Sequence, residues 1–386
     1  MTDARPEVRD GRPARAGTGG GPAARGRRQA SRPAGAGGQA GPGSRVTLQD
    51  VADHAGVSLT TASRVVNDGS RRVGRLLADR VNQAVAELGY TANLQARAVA
   101  TGQSTMVGVV VHDIADPYVS SIAAGLIEVA DARGLLVCMS STAATEAAER
   151  EYVALMHAQR ARAVILIGSR SDDVPARDAL RGQIAAFTWS GGRAVCVGQD
   201  LLGVDTILPE NAAGADALAR ALAALGHRHF AVLAGPRGLL TARDRLDGFR
   251  AGLQAWSVRL DPARVVHGAF TRDGGYEAMS AILAAGEPLP DCAFAVTDVM
   301  AVGALARLRA GGIDVPGGMA VAGFDDILTL RDVYPPLTTV RLPLKRMGQM
   351  AAELVLSDAV PDRPRVIPVP GEVILRDSTL PPPPAH

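Results

Sequence analysis

Beyond Ser104 the chain repeats one unit: a short apolar run, then a segment of helical periodicity, then another run. Val107-Gly108-Val109-Val110-Val111 sets the pattern, and its unbroken apolar character predicts a strand buried on both faces of a parallel sheet. A helix is expected over about 118–133, stopped by Gly134, with a second at 146–159 and strands at 135–140 and 163–168. The alternation resumes with helices near 211–225, 242–256, 274–285 and 300–310 and strands at 230–235, 265–268, 293–297 and 320–324. Repeated βα units imply parallel sheets with helices on both faces, and this many strands exceed one comfortable sheet. The expected fold class is therefore α/β, with two doubly wound parallel sheets forming two lobes. In a chain of 386 residues with 47% hydrophobic and only 3% aromatic residues, Ala, Val, Leu and Ile must build the core.

Upstream of the repeat the texture differs. Thr47 suits an N-cap for a helix over 48–55, and Gly56 suits the left-handed position after it. Ser58 caps a second helix through about Asn67, and a third runs from about Leu76 to Leu88, with Leu77, Val81, Val85 and Leu88 along one face and Gly89 closing it. Val51, Ala52, Ala55, Val57, Ala62, Val65 and Val66 form a small apolar interface that lets the first two helices cross closely, which is a helix-turn-helix. Ser58, Leu59, Thr60, Thr61, Ser63, Arg64 and Asn67 face outward from the second helix or its start. Such a helix places its N-terminal residues against base edges in the major groove. Arg64 reads a guanine or clamps a phosphate, and a bidentate base contact contributes ~1–3 kcal/mol of discrimination. Thr47, at the start of the first helix, joins this DNA-contacting set. The structural alternative is a three-helix bundle with a solvated polar face.

Charge and composition divide the rest. Residues 1–45, rich in Gly, Pro, Ala and Arg, hold nine arginines against three acidic residues, while the whole chain carries only +2. They cannot bury enough apolar surface to fold alone, so a disordered tail is expected, either simply solvated or adding phosphate affinity. Residues 46–104 read as the DNA-binding domain with a hinge, and 105–386 as a two-lobed domain. No stretch approaches the ~18 apolar residues of a membrane span, and the first thirty residues lack a secretory core, so the cytoplasm is the expected location. Cys138, Cys196 and Cys292 are scattered among apolar neighbours and read as buried free thiols. His227 and His229 alternate at a strand entrance and read as structural, so no metal or cofactor is expected. Neither a G-x-S-x-G elbow nor a phosphate-binding loop occurs, and no enzymatic activity is expected.

The stretch from Val46 to Asn67 strongly resembles the headpiece of the LacI/GalR family of transcriptional regulators. The likeness continues through Val107–His112 with Asp116-Pro117-Tyr118, Leu225-Gly226-His227-Arg228, and Ala242–Phe249 with Arg243 and Arg245. It goes on through Val296-Thr297-Asp298, Val321–Asp326 and Pro336–Val340. The resemblance implies a core like the periplasmic sugar-binding proteins, a homodimer on a pseudo-palindromic duplex operator, and a sugar-like or nucleoside-like effector that closes two lobes and alters DNA affinity. A repressor is the expected role, and the absence of a C-terminal leucine heptad argues for a dimer.

Residue by residue, the resemblance implies a hinge over 93–100 in which Asn93, Ala96 and Arg97 contact DNA. Val99 stands at the minor-groove wedge position, where the family uses Leu. It also implies effector contacts from Tyr118, Arg245, Phe270 and Asp298, at strand ends or helix starts, where doubly wound sheets bind ligands. The alternatives are that Asp298 caps the following helix, Arg245 makes a surface ion pair and Phe270 packs between lobes. The sequence departs from the family at Gly198-Gln199, where Asp-Arg is usual, at Asp116 in place of Asn, and at Glu210-Asn211 in place of Asp-Asn. The loss of a carboxylate at 198 speaks against a common hexose. A periplasmic-type solute-binding protein shares this core but needs an export signal and no helix-turn-helix.

Overall fold

The computed structural model describes residues 46–68, 73–91, 104–143, 145–357 and 363–380. The chain divides into two compact units at Thr91 and Ala92.

The first unit holds three helices, α1 (Leu48–Ala55), α2 (Leu59–Asp68) and α3 (Arg75–Leu88). Thr47 and Asp50 close a capping box on α1: the Asp50 amide donates to Thr47 Oγ1 at 3.3 Å and the Thr47 amide donates to Asp50 Oδ2 at 2.8 Å. Gly56 ends the helix at φ 61°, where a Cβ would be strained. Val51, Ala52, Ala55, Ala62, Val65, Ala78, Val81 and Ala84 form the core. The small side chains allow three short helices to pack closely. The third helix differs from its expected face: Ala78, Val81 and Ala84 are buried, whereas Leu77 is 39% exposed. The face that packs is lined by small residues, Ala78 and Ala84 on either side of Val81.

In the second unit the first lobe is a six-stranded parallel sheet. Its strands are β1 (Met106–Val111), β2 (Leu136–Ser141), β3 (Ala163–Ile167), β4 (Arg193–Val197), β5 (Asp205–Pro209) and β11 (Val366–Val369), in the order β11-β5-β4-β3-β1-β2. Alternation assigns the faces. Val107, Val109, Val111, Ile165, Ile167, Val195 and Val197 enter the main core, while Val110, Val164, Leu166 and Cys196 enter a second cluster with Val153, Met156, Leu180, Ile184 and Phe187. The first face is covered by α4 (Pro117–Asp131) and α11 (Leu344–Leu356), the second by α5 (Glu146–Ala158) and α6 (Val174–Trp189). Helices α4 and α11 approach through Gly125 and Gly348, where a Cβ would run into the Lys345 or Ile122 carbonyl.

The second lobe is a four-stranded parallel sheet of β6 (Phe230–Leu233), β7 (Val265–Val266), β8 (Cys292–Ala295) and β9 (Ala320–Ala322), in the order β7-β6-β8-β9. Helices α7 (Asn211–Ala224) and α8 (Leu240–Gln254) pack as one pair, and α9 (Arg272–Ala284) and α10 (Asp298–Ala310) as another. An antiparallel ribbon of β10 (Thr339–Arg341) and β12 (Glu372–Ile374) joins the sheet through a bridge from Ala322 to Thr338. The chain therefore passes between the lobes three times: after β5, between β10 and α11, and between β11 and β12. Helices α6 and α11 and strands β5, β10, β11 and β12 carried no expectation from the sequence; the returns that bind the lobes together were the least legible part. Cys196 and Cys292 are buried, but Cys138 is partly exposed, against expectation. No helix among the described residues is long and apolar enough to cross a membrane.

Candidate functional site

On the first unit, Leu59, Thr60, Ser63 and Arg64 share one face of α2 and line a shallow depression with Leu48 and Gln49 of α1. Leu59 is 46% exposed despite its apolar side chain, and Thr60 and Arg64 are exposed beside it. Other residues of the expected set are engaged within the unit. Ser58 Oγ accepts from the Thr61 amide at 3.2 Å and lies 2.9 Å from Thr61 Oγ1. Asn67 donates to Ser63 Oγ at 3.2 Å, and Thr47 is held in its capping box. Asn93, Ala96, Arg97 and Val99, like residues 1–45, lie outside the described residues.

The second unit holds a cavity of about 280 Å³ between the lobes. The first lobe contributes His112, Asp113, Asp116 and Tyr118 after β1, Gly168 and Ser169 after β3, and Gly198 after β4. The second contributes Thr241 and Arg245 after β6, Phe270 after β7, Thr297 after β8 and Asp325 after β9. The cavity thus sits at the carboxyl ends of the strands of both sheets.

Arg245 is almost fully buried. It donates from Nε to Asn211 Oδ1 at 2.9 Å, from Nη1 to the Val296 carbonyl at 2.7 Å and from Nη2 to Asp325 Oδ1 at 2.7 Å. Its guanidinium stacks 3.9 Å from the centre of the Phe324 ring. Rather than a surface ion pair, it is a fixed cation in the cavity wall. Burial raises the Asp325 carboxyl, and the neighbouring Arg245 opposes that shift. Burial likewise raises Asp116, which caps α4 by accepting from the Tyr118 amide at 2.9 Å. The Tyr118 phenol is pushed well above its usual range by burial. The Phe270 ring fills the space that a Cβ on Gly235 would take, so a glycine at φ 68° seats it.

Asp298 departs from expectation. Its side chain is fully buried, Oδ1 accepts from Thr339 Oγ1 at 2.7 Å and Oδ2 accepts from the Ile327 amide at 3.0 Å. It does not line the cavity, and burial pushes its carboxyl up to about 6. The helix cap is Thr297, whose hydroxyl accepts from the Met300 amide at 3.4 Å. Asp298 instead ties the start of α10 to β10, so the carboxylate nearest the guanidinium is that of Asp325.

Comparison with known proteins gives the same two parts. The profile for bacterial regulatory proteins of the lacI family matches residues 47–93, and that for a periplasmic binding protein-like domain matches residues 219–379. The HTH-type transcriptional regulator CelR of Thermobifida fusca is 33% identical over 319 residues, covering 81% of this chain and 91% of CelR. The chain belongs to the lacI family of bacterial regulatory proteins. The HTH-type transcriptional regulator GalR of Escherichia coli (strain K12) is 32% identical over 315 residues, 81% of this chain and 88% of its own. Among solved structures, a lac repressor dimer bound to operator and the anti-inducer ONPF matches with a TM-score of 0.74 at 29% identity, covering 87% of this chain and all of that one. A CelR–cellobiose complex matches with a TM-score of 0.62 at 28% identity, covering 86% of this chain. This lacI-family chain is a DNA-binding transcriptional regulator, not a transport protein that shares the core.

Among the departures of this lacI-family member from the usual pattern, Asp116 caps α4 and Gln199 braces the loop after β3. Gln199 Oε1 accepts from the Arg170 amide at 2.9 Å, and its Nε2 donates across to Thr241 Oγ1 at 3.0 Å. Beside it the lobes meet again: Ser171 and Leu239 form an antiparallel bridge, and the Leu240 amide donates to the Arg170 carbonyl at 2.9 Å. Sequence reasoning noticed Gln199 only as a missing arginine. It gave no site role to His112, Asn211 or Asp325, although all three lie in segments it quoted.

Proposed function

We propose that this chain is a homodimeric repressor whose affinity for a pseudo-palindromic operator is set by a neutral, hydroxyl-rich metabolite, a carbohydrate or nucleoside, held between its lobes. The observation that carries this reading is the fixed Arg245 guanidinium in a cavity that also exposes Tyr118 and Phe270. A buried cation donates to ligand oxygens, and aromatic faces stack on the apolar faces of sugar rings or bases. The cavity volume, about 280 Å³, suits a ligand of one or two rings. CelR, whose solved complex holds cellobiose, supports a carbohydrate.

On the DNA side, Leu59, Thr60, Ser63 and Arg64 contact base edges, and Thr47, Ser58, Thr61 and Asn67 orient α2 against the backbone. Asn93, Ala96, Arg97 and Val99 complete the contact in the minor groove. The effector acts by its unequal affinity for two lobe arrangements, without which no operator affinity could change.

The test uses full-length protein. Duplexes selected from a random library identify the operator, and a thermal-shift panel of D-glucose, D-ribose, cellobiose and adenosine identifies a binder. The binder is expected to change operator affinity about tenfold, and to lose its effect when Arg245 is replaced by Met. A compound that binds without moving operator affinity contradicts the reading.

A further inference from the structure

The first lobe buries an ion pair that the reading above does not use. Arg170 and Glu149 are both almost wholly inaccessible and pair through two contacts, one of them Nη2 to Oε1 at 2.8 Å. Although burial pushes Glu149 upward, the Arg170 charge and the hydrogen bonds it receives hold its carboxyl down to about 2, so it is ionised at neutral pH. The pair stands directly behind a residue of the cavity wall: Glu149 Oε1 lies 3.5 Å from His112 Nε2.

The His112 ring is tightly placed. It lies flat against Gly168, where a Cβ would come within 2.9 Å of three ring atoms. Its backbone carbonyl accepts from Ser141 Oγ at 2.9 Å and from the Ala143 amide at 3.0 Å. Its side chain is 17% exposed. Among the described residues Nδ1 has no hydrogen-bond partner, while Asp113 and Asp116 stand beside the ring on the same cavity wall.

A carboxylate can only accept. An unprotonated Nε2 would direct its lone pair at an ionised oxygen 3.5 Å away, a repulsive arrangement in a poorly solvated site. We infer that Glu149 holds the neutral His112 ring as the Nε2–H tautomer, leaving Nδ1 as an acceptor in the cavity wall that selects effectors presenting a hydroxyl or amine donor there. Arg170 holds both oxygens of Glu149, so the carboxylate is fixed in place beside Nε2. The inference rests on the cavity being the effector site and adds a recognition rule to it: Arg245 donates to the ligand from one lobe while His112 accepts from the other. A ligand offering acceptors alone satisfies only half of the site.

The test uses full-length protein labelled with nitrogen-15 histidine, with His112→Phe identifying the resonances by their loss. The long-range proton–nitrogen pattern at neutral pH is expected to show a protonated Nε2 and a bare Nδ1. An Nδ1–H tautomer or an imidazolium pattern overturns the inference, whatever the ligand. Glu149→Gln can fail to fold, because it strips a buried arginine of its partner. The Glu149→Met/Arg170→Met double variant removes both charges at similar volume and is expected to fold with a mixed tautomer population. An unchanged pattern in it overturns Glu149 as the positioning residue. In a second arm, calorimetry compares wild type with His112→Phe and His112→Asn for whichever of D-glucose, D-ribose, cellobiose and adenosine binds. His112→Phe keeps the ring against Gly168 but has no acceptor, and is expected to weaken binding about tenfold. Equal affinity in both variants overturns the recognition role. If none of the four binds while Nε2 is protonated, the effector reading fails and the recognition role with it, but the tautomer assignment stands.

Discussion

Gln199, in the first lobe, donates its side-chain amide to Thr241 Oγ1 of the second lobe at 3.0 Å while accepting from the Arg170 backbone amide at 2.9 Å. One side chain therefore fixes the loop after β3 and fastens it across the cavity, where Ser171 pairs with Leu239. Gln199→Ala leaves the Arg170 amide without its acceptor, at a cost of about 1–3 kcal/mol locally. Hydrogen exchange should accelerate in peptides spanning 168–173 and 238–241, with little change in the α1–α3 unit. Unchanged protection in both peptides would show that Gln199 does not fasten the lobes.

Arg245 should behave as a buried charge with several dependents. Arg245→Met orphans Asp325 and leaves the Asn211 and Val296 acceptors without their donor. A loss of about 3–5 kcal/mol in denaturant unfolding of the core is expected. Adding Asp325→Asn to that variant should recover part of the loss, because it removes the stranded charge with a residue type that tolerates the positive φ of this position. A double variant no more stable than the single one would contradict this pairing.

Glu149 gives the core a defined acid response. Its carboxyl is lowered from the ordinary 4.5 to about 2 in the folded chain, mainly by Arg170 acting against burial. The folded state therefore holds the carboxylate more tightly than the unfolded state does. The resulting stability is full above 4.5 and is lost as the pH falls toward 2, amounting to roughly 3 kcal/mol. The Glu149→Met/Arg170→Met variant should show a correspondingly flatter stability profile across that window. An identical acid profile would rule out this linkage.

In the α1–α3 unit, Thr47→Ala removes the capping box while Asp50 remains. A loss of about 1 kcal/mol is expected in its unfolding transition, and Thr47→Ser should restore most of it. Equal stability of all three proteins would mean that the cap contributes nothing.

What was legible in the sequence follows from range. The caps at Thr47 and Ser58 and the left-handed Gly56 and Gly89 are local, and the structure has all four at their expected places. Strands buried on both faces announced themselves as apolar runs. The returns that carry β11 and α11 back to the first lobe are tertiary, and their short, ordinary segments held no signal. The same limit applies to the cavity. Tyr118, Arg245 and Phe270 all line it, whereas Asp298 is turned into a bond with Thr339, a residue far along the chain. Asp325 stands in the wall at φ 119°, a backbone conformation that no side-chain pattern encodes. Leu77 failed in the opposite sense: a larger apolar residue drew the expectation away from Ala78, which is the one buried against the other helices.

The most direct test of the account is the preference of the full-length protein for its selected operator over a scrambled duplex, measured by fluorescence anisotropy for wild type and Arg64→Ala. Removing a side chain that reads a base should cost ~1–3 kcal/mol of discrimination, a fall in preference of roughly ten- to a hundredfold, with a smaller change on the scrambled duplex. A folded Arg64→Ala protein that keeps the full preference, or a wild type that shows none at modest salt, would contradict the assignment of α2 as the DNA-reading helix.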